Sequence, residues 1–391
     1  MKILLVGGGS GGHLTPLFAV RDAILQLTPD TKIEIWTDRK MLKVAKERLQ
    51  PSSRPAESLT QNTRIRTIIS GKYRRYANNP TPLKDHFANF FDLFRIVFGT
   101  IQSFCRLLFY RPDVIFLKGG FTSVPVGFAA HLLRIPYIIH ESDSTLGLAN
   151  RLLAKHARIV ATGLPSNSND PRFVYTGIPI DQAWLINRGV AAEGPAAGGE
   201  GDGANRGQDP ELQLPSLVVL GGGLGAHSLN LEAAKLAKYF GNKVQITAII
   251  GPAESETLES ALQKLGVITH RFIANAAELA PIVRAADVVI ARAGATTITE
   301  LAATSRPTIL VAKATLPGAH QAENAKLLAE QGAAIDYDGS TLADNQLPVF
   351  VSHLLADSTN RQSLGTKLHQ LVRYDAATAL AQILLKTGQP K

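Results

Sequence analysis

A nine-residue pattern occurs twice in this chain of 391 residues. Leu5-Val6-Gly7-Gly8-Gly9-Ser10-Gly11-Gly12-His13 returns 214 positions later as Val219-Leu220-Gly221-Gly222-Gly223-Leu224-Gly225-Ala226-His227. Each copy runs from an apolar strand through a glycine loop into an amphipathic stretch, which is how a doubly wound domain opens. Two openings imply two such domains. The length agrees, because a single hydrophobic core stops growing at roughly 250 to 300 residues. With 45% hydrophobic and 19% charged residues, the chain has material for two cores, and disorder over most of its length is excluded.

Short apolar runs alternate with amphipathic stretches along both halves, the pattern of parallel strands covered by helices on both faces. Strands are expected at 3–6, 33–36, 114–117, 137–139 and 159–161, and again at 217–220, 244–250, 288–290 and 308–311. The fold class is α/β, with two Rossmann-like doubly wound domains facing each other across a cleft. Residues 1–188 make the first domain and 216–391 the second, whose last helix is expected to pack back on the first. Between them, 189–215 holds glycine, alanine and acidic residues with almost no large apolar side chain and reads as a flexible linker.

Phosphate is the ligand class such loops suggest, because backbone N–H groups and a helix N-terminus together favour an anion. Gly7-x-Gly9-x-x-Gly12 also fits a dinucleotide fingerprint, with Asp38 after the second strand as the ribose partner, so a nicotinamide or flavin enzyme stays open. His13 follows the first loop just ahead of Thr15, a candidate helix cap, and Pro16, a candidate first helical residue. There it can act as a general base or touch phosphate. His140-Glu141-Ser142-Asp143 ends another apolar run, where His140 and Glu141 either contact a ligand or support the loop. No metal is expected, since histidine and carboxylate ligands do not recur at helical spacing. In the segment from Arg292 to Glu300, Thr297 and Glu300 have capping-box spacing. Glu300 either satisfies its own helix or accepts the two hydroxyls of a ribose, with the Gly294 to Thr297 amides on phosphate or sugar.

The net charge of +9 is concentrated. Nine basic residues lie between Gln61 and Arg111, against Asp85 and Asp92 alone. Phe87, Phe91, Phe94 and Phe98 fall on one helical face within that stretch, which reads either as core or as an interfacial helix on anionic lipid. Nucleic acid is not expected, as no recognition signature accompanies the charge. No uninterrupted apolar run reaches the 18 to 20 residues, roughly, of a membrane span. Met1-Lys2 leads straight into a strand, and the lone Cys105 excludes an internal disulfide, so a cytoplasmic chain is expected.

In order along the chain come Gly8 to His13, Arg111-Pro112-Asp113-Val114 with Gly119-Gly120-Phe121, His140-Glu141, Thr176-Gly177-Ile178-Pro179, Gly221 to Ala226, Arg292 to Glu300, and His320-Gln321 with Asn324-Ala325. This succession resembles the MurG family, the UDP-N-acetylglucosamine transferases of peptidoglycan synthesis. The resemblance implies a GT-B glycosyltransferase fold and inverting, metal-independent transfer of N-acetylglucosamine to an undecaprenyl-diphospho-muramoyl-pentapeptide lipid, with no cofactor. It places Ser10, Gly11 and Gly12 near the donor sugar and diphosphate, Ile273 at the uracil and Glu300 at the ribose. Ala295, Thr296, Thr297, Ile298 and Thr299 fall along the sugar and phosphate, with Gln321 and His320 on sugar hydroxyls. His13 becomes the candidate base, and Glu141 a second catalytic candidate. The basic, phenylalanine-rich stretch would hold the protein to the inner face of the cell membrane. Three positions depart from the family pattern: Asp143 stands for an asparagine, Gly223 for a phosphate-contacting serine, and Asp181 for an arginine. Readings that stay open are a related transferase with another acceptor, a UDP-N-acetylglucosamine epimerase and a non-catalytic nucleotide-sugar-binding partner.

Overall fold

A computed structural model of the chain describes residues 1–49, 62–73, 83–166, 168–186, 214–221, 225–251, 254–271, 276–312, 320–338 and 346–389. The span expected to be a linker falls outside them except for Leu214 and Pro215, as do Arg74 and Arg75 of the basic stretch.

In the first half the strands are β1 (Lys2–Val6), β2 (Lys32–Thr37), β3 (Thr63–Thr67), β4 (Val114–Leu117), β5 (Tyr137–Glu141), β6 (Ile159–Thr162) and β7 (Phe173–Tyr175). Their helices are α1 (Gly11–Leu27), α2 (Leu42–Leu49), α3 (Leu83–Tyr110), α4 (Ser123–Leu132) and α5 (Leu148–Ala154). All strand pairs are parallel, in the order β3-β2-β1-β4-β5-β6-β7. That is the doubly wound order, in which the chain reverses direction between β1 and β4 and opens a crevice at the strands' C-terminal ends.

The second half repeats the plan. Strands β8 (Ser216–Leu220), β9 (Gln245–Ile250), β10 (Ile268–Arg271), β11 (Val288–Ala291), β12 (Thr308–Ala312) and β13 (Ile335–Asp338) form a parallel sheet ordered β10-β9-β8-β11-β12-β13. The helices are α6 (His227–Phe240), α7 (Glu256–Lys264), α8 (Ala276–Ala285), α9 (Ala295–Thr304), α10 (His320–Glu330), α11 (Leu347–Ala356), α12 (Ser358–Gln370) and α13 (Ala376–Thr387). The final helix leaves this half. Leu380, Ala381 and Leu384 of α13 are fully buried in one cluster with Ile3, Leu5, Leu14 and Leu17 of β1 and α1.

Two local expectations are corrected. Helix α1 starts at Gly11 with Ser10 in extended backbone before it, four residues ahead of the expected Thr15 cap, so Pro16 lies inside the helix. Likewise α9 starts at Ala295 behind Gly294. Thr297 is therefore no N-cap, and the capping box with Glu300 does not form.

Helix α3 has its amphipathicity turned outward. It meets the rest of the protein through small and polar residues: Asn89, Asp92, Gly99 and Ser103 are buried together with Leu107. Gly99 allows that approach, since a Cβ there would press into the Ile69 carbonyl. The opposite face exposes Phe87 (63%), Phe91 (63%), Phe94 (48%) and Phe98 (61%), with Leu93, Val97 and Ile101 beside them. Of the two readings of the phenylalanine stripe, core is thus excluded. By length and mean hydropathy the Asp85–Tyr110 segment is long and apolar enough to cross a membrane. Counting only uninterrupted apolar runs missed this because Asp92, Arg95 and Arg106 divide it. Its buried polar face and its packing against α4 make it a layer of the first half.

Candidate functional site

The loops after the strands' C-terminal ends bring the two halves together. Gly7 and Gly8 pack so closely that added Cβ atoms would strike the His13 carbonyl and the Asp38 carboxylate. Asp38 accepts from the Gly9 amide and, through its other oxygen, from the amides of Lys40 (2.8 Å) and Met41 (3.2 Å). It pins the glycine loop and is spent there, so the ribose role that a dinucleotide fingerprint gives it is not realised.

Helix α1 then points its N-terminus into the cleft, and α9 points its own N-terminus back. An added Cβ at Gly12 would stand 3.5 Å from the Thr296 hydroxyl, which donates to the Gly12 carbonyl at 3.4 Å. That carbonyl is free because its intrahelical partner would be the N–H of residue 16, which is proline. Neither N-terminus has a side-chain cap. The amides of Gly11 and Gly12, and of Ala295, Thr296 and Thr297, precede the first intrahelical bonds and are available to an anion.

His13 stands on the first turn of α1. Its Nδ1 lies 3.1 Å from the Gly8 carbonyl, which can only accept, so Nδ1 carries the hydrogen and Nε2 the lone pair. Ser10 Oγ is 3.4 Å from the same nitrogen. Burial and the field of Lys118, opposed by Glu141, the Gly8 bond and Asp38, push the His13 pKa down to about 4. The imidazole is neutral at pH 7. Gly120 shapes its seat, since a Cβ there would lie 3.0 Å from Nδ1.

The 140–144 loop forms the adjoining wall. His140 is fully buried, bonds through Nε2 to the Gly177 carbonyl at 2.9 Å, and is held neutral by burial and Lys118. Glu141 accepts from the amides of Asp143 (3.1 Å) and Gly147 (2.8 Å) and from Asn150 Nδ2 (2.9 Å). Both of these residues support the loop. Across the cleft, Asn324 Nδ2 lies 3.5 Å from Asp143 Oδ1 and Ser144 Oγ 3.4 Å from Glu323. Sequence reasoning passed over Lys118, which is 1% exposed at the end of β4 and donates to Ser142 Oγ at 2.5 Å. Its signal was available, a lone cation closing the buried strand Val114–Leu117 directly before two glycines.

On the α9 side, Ala295, Thr296, Thr297 and Glu300 face the cleft in part, whereas Ile298 and Thr299 are buried on the core side and Thr299 donates to the Ala295 carbonyl. Burial raises the Glu300 pKa to about 7, with Arg48 of α2 opposing and Asp181 adding to the rise. Asp181 itself accepts from the Ala183 amide at 3.0 Å and caps the short turn Gln182–Trp184. Gln321 accepts from Arg292 at 3.2 Å. Gly223 and Ile273 lie outside the described residues, as does the side chain of His320. Among the described residues no three His, Cys, Asp or Glu side chains are grouped to hold a metal ion.

Comparison with known proteins gives concordant findings. Residues 3–162 match the glycosyltransferase family 28 N-terminal domain and residues 216–380 its C-terminal domain. The UDP-N-acetylglucosamine–N-acetylmuramyl-(pentapeptide) pyrophosphoryl-undecaprenol N-acetylglucosamine transferase of Treponema pallidum is 30% identical over 395 residues, covering 98% of this chain and 94% of that protein. The enzyme of the same name from Clostridium kluyveri is 32% identical over 315 residues, 79% of this chain and 78% of its own. Among solved structures, Acinetobacter baumannii MurG superposes with a TM-score of 0.68 at 23% identity, over 98% of this chain and 99% of that one, a likeness of fold.

Proposed function

Because this chain belongs to the UDP-N-acetylglucosamine–N-acetylmuramyl-(pentapeptide) pyrophosphoryl-undecaprenol N-acetylglucosamine transferases, within glycosyltransferase family 28, we propose that its interdomain cleft performs their reaction with His13 as base. The enzyme transfers N-acetylglucosamine from UDP-N-acetylglucosamine to the undecaprenyl-diphospho-muramoyl-pentapeptide lipid in peptidoglycan synthesis. The observation that carries the site assignment is the pair of uncapped helix N-termini that meet across the cleft, with the neutral imidazole of His13 on the first turn of α1.

In this reading the acceptor hydroxyl attacks the anomeric carbon from the face opposite UDP, and its proton passes to His13 Nε2. The new C–O bond forms as the bond to the β-phosphate oxygen breaks, inverting that carbon, and UDP leaves with the electron pair. Charge then grows on the diphosphate in front of amides already fixed in place on α9 and α1, a preorganised arrangement that asks for no cation. Glu300 accepts the ribose hydroxyls, the Ala295 to Thr297 amides meet the diphosphate and sugar, and Gln321 meets the sugar hydroxyls. Glu141 acts by holding the loop that carries Asp143. The exposed phenylalanines of α3 lie on the cytoplasmic leaflet beside the polyprenyl chain, where anionic headgroups attract the neighbouring basic residues, each by roughly 1 kcal/mol.

Release of UDP from UDP-N-acetylglucosamine, measured with and without a soluble-chain analogue of the muramoyl-diphospholipid, tests the reading. Acceptor-dependent release with inversion is expected, also in the presence of a metal chelator. Equal release with no acceptor, or none with it, would sink it.

A further inference from the structure

The first sheet carries a second concentration of charge, away from the cleft. On β1, β2 and β3 the register sets Lys2 beside Lys32, Glu34 beside Arg64, and Trp36 beside Arg66. Alternation along the strands puts all six side chains on one face. Helix α3 covers the inner part of that face, where Leu107 is buried with Leu4, Val6 and Trp36. Next to it the face opens as a cavity of about 590 Å³, which Arg106, Phe109 and Tyr110 of α3 also line. Lys2 and Lys32 begin their strands, whereas the loops of the cleft follow the strands' C-terminal ends.

Five cations line this cavity, Lys2, Lys32, Arg64, Arg66 and Arg106, against the single carboxylate of Glu34. Glu34 is 4% exposed and already committed, accepting from Trp36 Nε1 at 2.8 Å and from Arg66 Nε at 3.1 Å. Arg106 lies 5.8 Å over the Trp36 ring and donates to the Thr67 carbonyl, an uncharged partner. Burial and the field of Arg66 push the Arg106 pKa down, with Glu34 opposing. Lys2 Nζ likewise reaches a carbonyl, that of Tyr110, at 3.2 Å. Asp113 accepts from the Lys2 amide and does not line the cavity. The side chains of Lys32 and Arg64 have no hydrogen bond or ion pair among the described residues.

Cations held this close repel one another unless an anion joins them. The planar fork of arginine matches phosphoryl oxygens, and a phosphate monoester brings about two negative charges where a carboxylate brings one. The volume is within the range of small-ligand sites, about 300 to 1,000 Å³. We propose that this cavity binds a phosphoryl group, at a site separate from the transfer reaction. Lys32 and Arg64 supply the free donors, and Arg66 and Arg106 add to the field. Phe109 lines the same cavity, is 88% exposed, and continues the apolar face of α3 roughly three turns beyond Phe98. The mouth therefore admits a lipid headgroup as well as phosphate from solution.

Calorimetry with inorganic phosphate, and co-sedimentation with phosphatidylcholine vesicles containing phosphatidate, test the site on three proteins. These are the wild type, Lys32→Gln/Arg64→Gln, and Lys43→Gln/Lys46→Gln, which removes the same charge from α2 on the opposite face of the sheet. All four side chains are exposed, so both variants keep the fold, which thermal melts check. Phosphate held by the cleft is common to all three and cancels. Binding is expected to weaken about tenfold or more in the cavity variant and to stay at the wild-type level in the α2 variant. Seen with inorganic phosphate, that result assigns the site to phosphate in solution; seen with vesicles alone, it assigns the site to a headgroup. Equal weakening in the two variants, or none in the cavity variant, in both assays overturns the proposal.

Discussion

The Thr296 hydroxyl donates across the cleft to the Gly12 carbonyl at 3.4 Å, an oxygen left without its helical partner by Pro16. A residue that weakens α1 thereby supplies a link between the two halves. Thr296→Val removes the link and is expected to raise KM for UDP-N-acetylglucosamine by a factor of about 2 to 10, the worth of one hydrogen bond. Pro16→Ala restores the N–H and should raise the melting temperature while also raising that KM, because Gly12 regains an acceptor role within its own helix. Steady-state kinetics and thermal melts read both.

His13→Ala is expected to lower kcat by about 10² to 10⁴, the usual span for a general base. With its pKa depressed to about 4, the wild-type base stays unprotonated well below the ordinary histidine value of 6.5. The acid limb of the kcat/KM profile should therefore fall near pH 4. Stability follows the same sign. The unfolded chain binds this proton at about 6.5 and the folded one only near 4, so the His13 contribution is complete above pH 6.5 and is lost as pH falls toward 4. In His13→Ala, denaturant midpoints should vary less across that window.

Glu300 is poised near neutrality with a pKa of about 7. Ribose hydroxyls donate to the ionised form, so UDP affinity should rise between pH 6 and 8, with proton release measurable by calorimetry in buffers of different ionisation enthalpy. Asp181→Asn removes a like charge and keeps an oxygen for the Ala183 amide. It should move that rise to lower pH, and an unmoved profile would remove Asp181 from the account.

Triple substitution of Phe87, Phe91 and Phe94 by serine is expected to abolish co-sedimentation with anionic vesicles. Because all three are already exposed, melting should change little. Gly99→Ala does the reverse, loosening α3 from the Ile69 carbonyl and lowering the melting temperature.

The sequence made the interior strands legible and the sheet edges opaque. None of β3, β7, β10 and β13 was expected, and all four are edge strands. A central strand buried on both faces shows as an apolar run, whereas an edge strand such as Thr63–Thr67 alternates threonine and arginine with one isoleucine. Capping signals misled for a related reason. Thr15 and Thr297 look like caps, but the helices begin earlier, at glycine-led positions whose bare amides face the cleft. A helix start kept open for a ligand carries no capping side chain to read. His13 was visible through its place after the glycine loop. Lys118 was not, because a single lysine at the end of a strand has meaning only once the 140–144 loop is folded over it.

Helix α13 lies last in the chain, yet Leu380, Ala381 and Leu384 complete the core that begins with Ile3 and Leu5. The first half therefore cannot close its own interior during synthesis. Until residues 376–387 leave the ribosome, the faces of β1 and α1 that receive this helix stay exposed, and the nascent half is open to aggregation or chaperone capture. The first half and helix α13 thus mature together, and loss of residues 380–391 would open the core around Ile3 and Leu5 first.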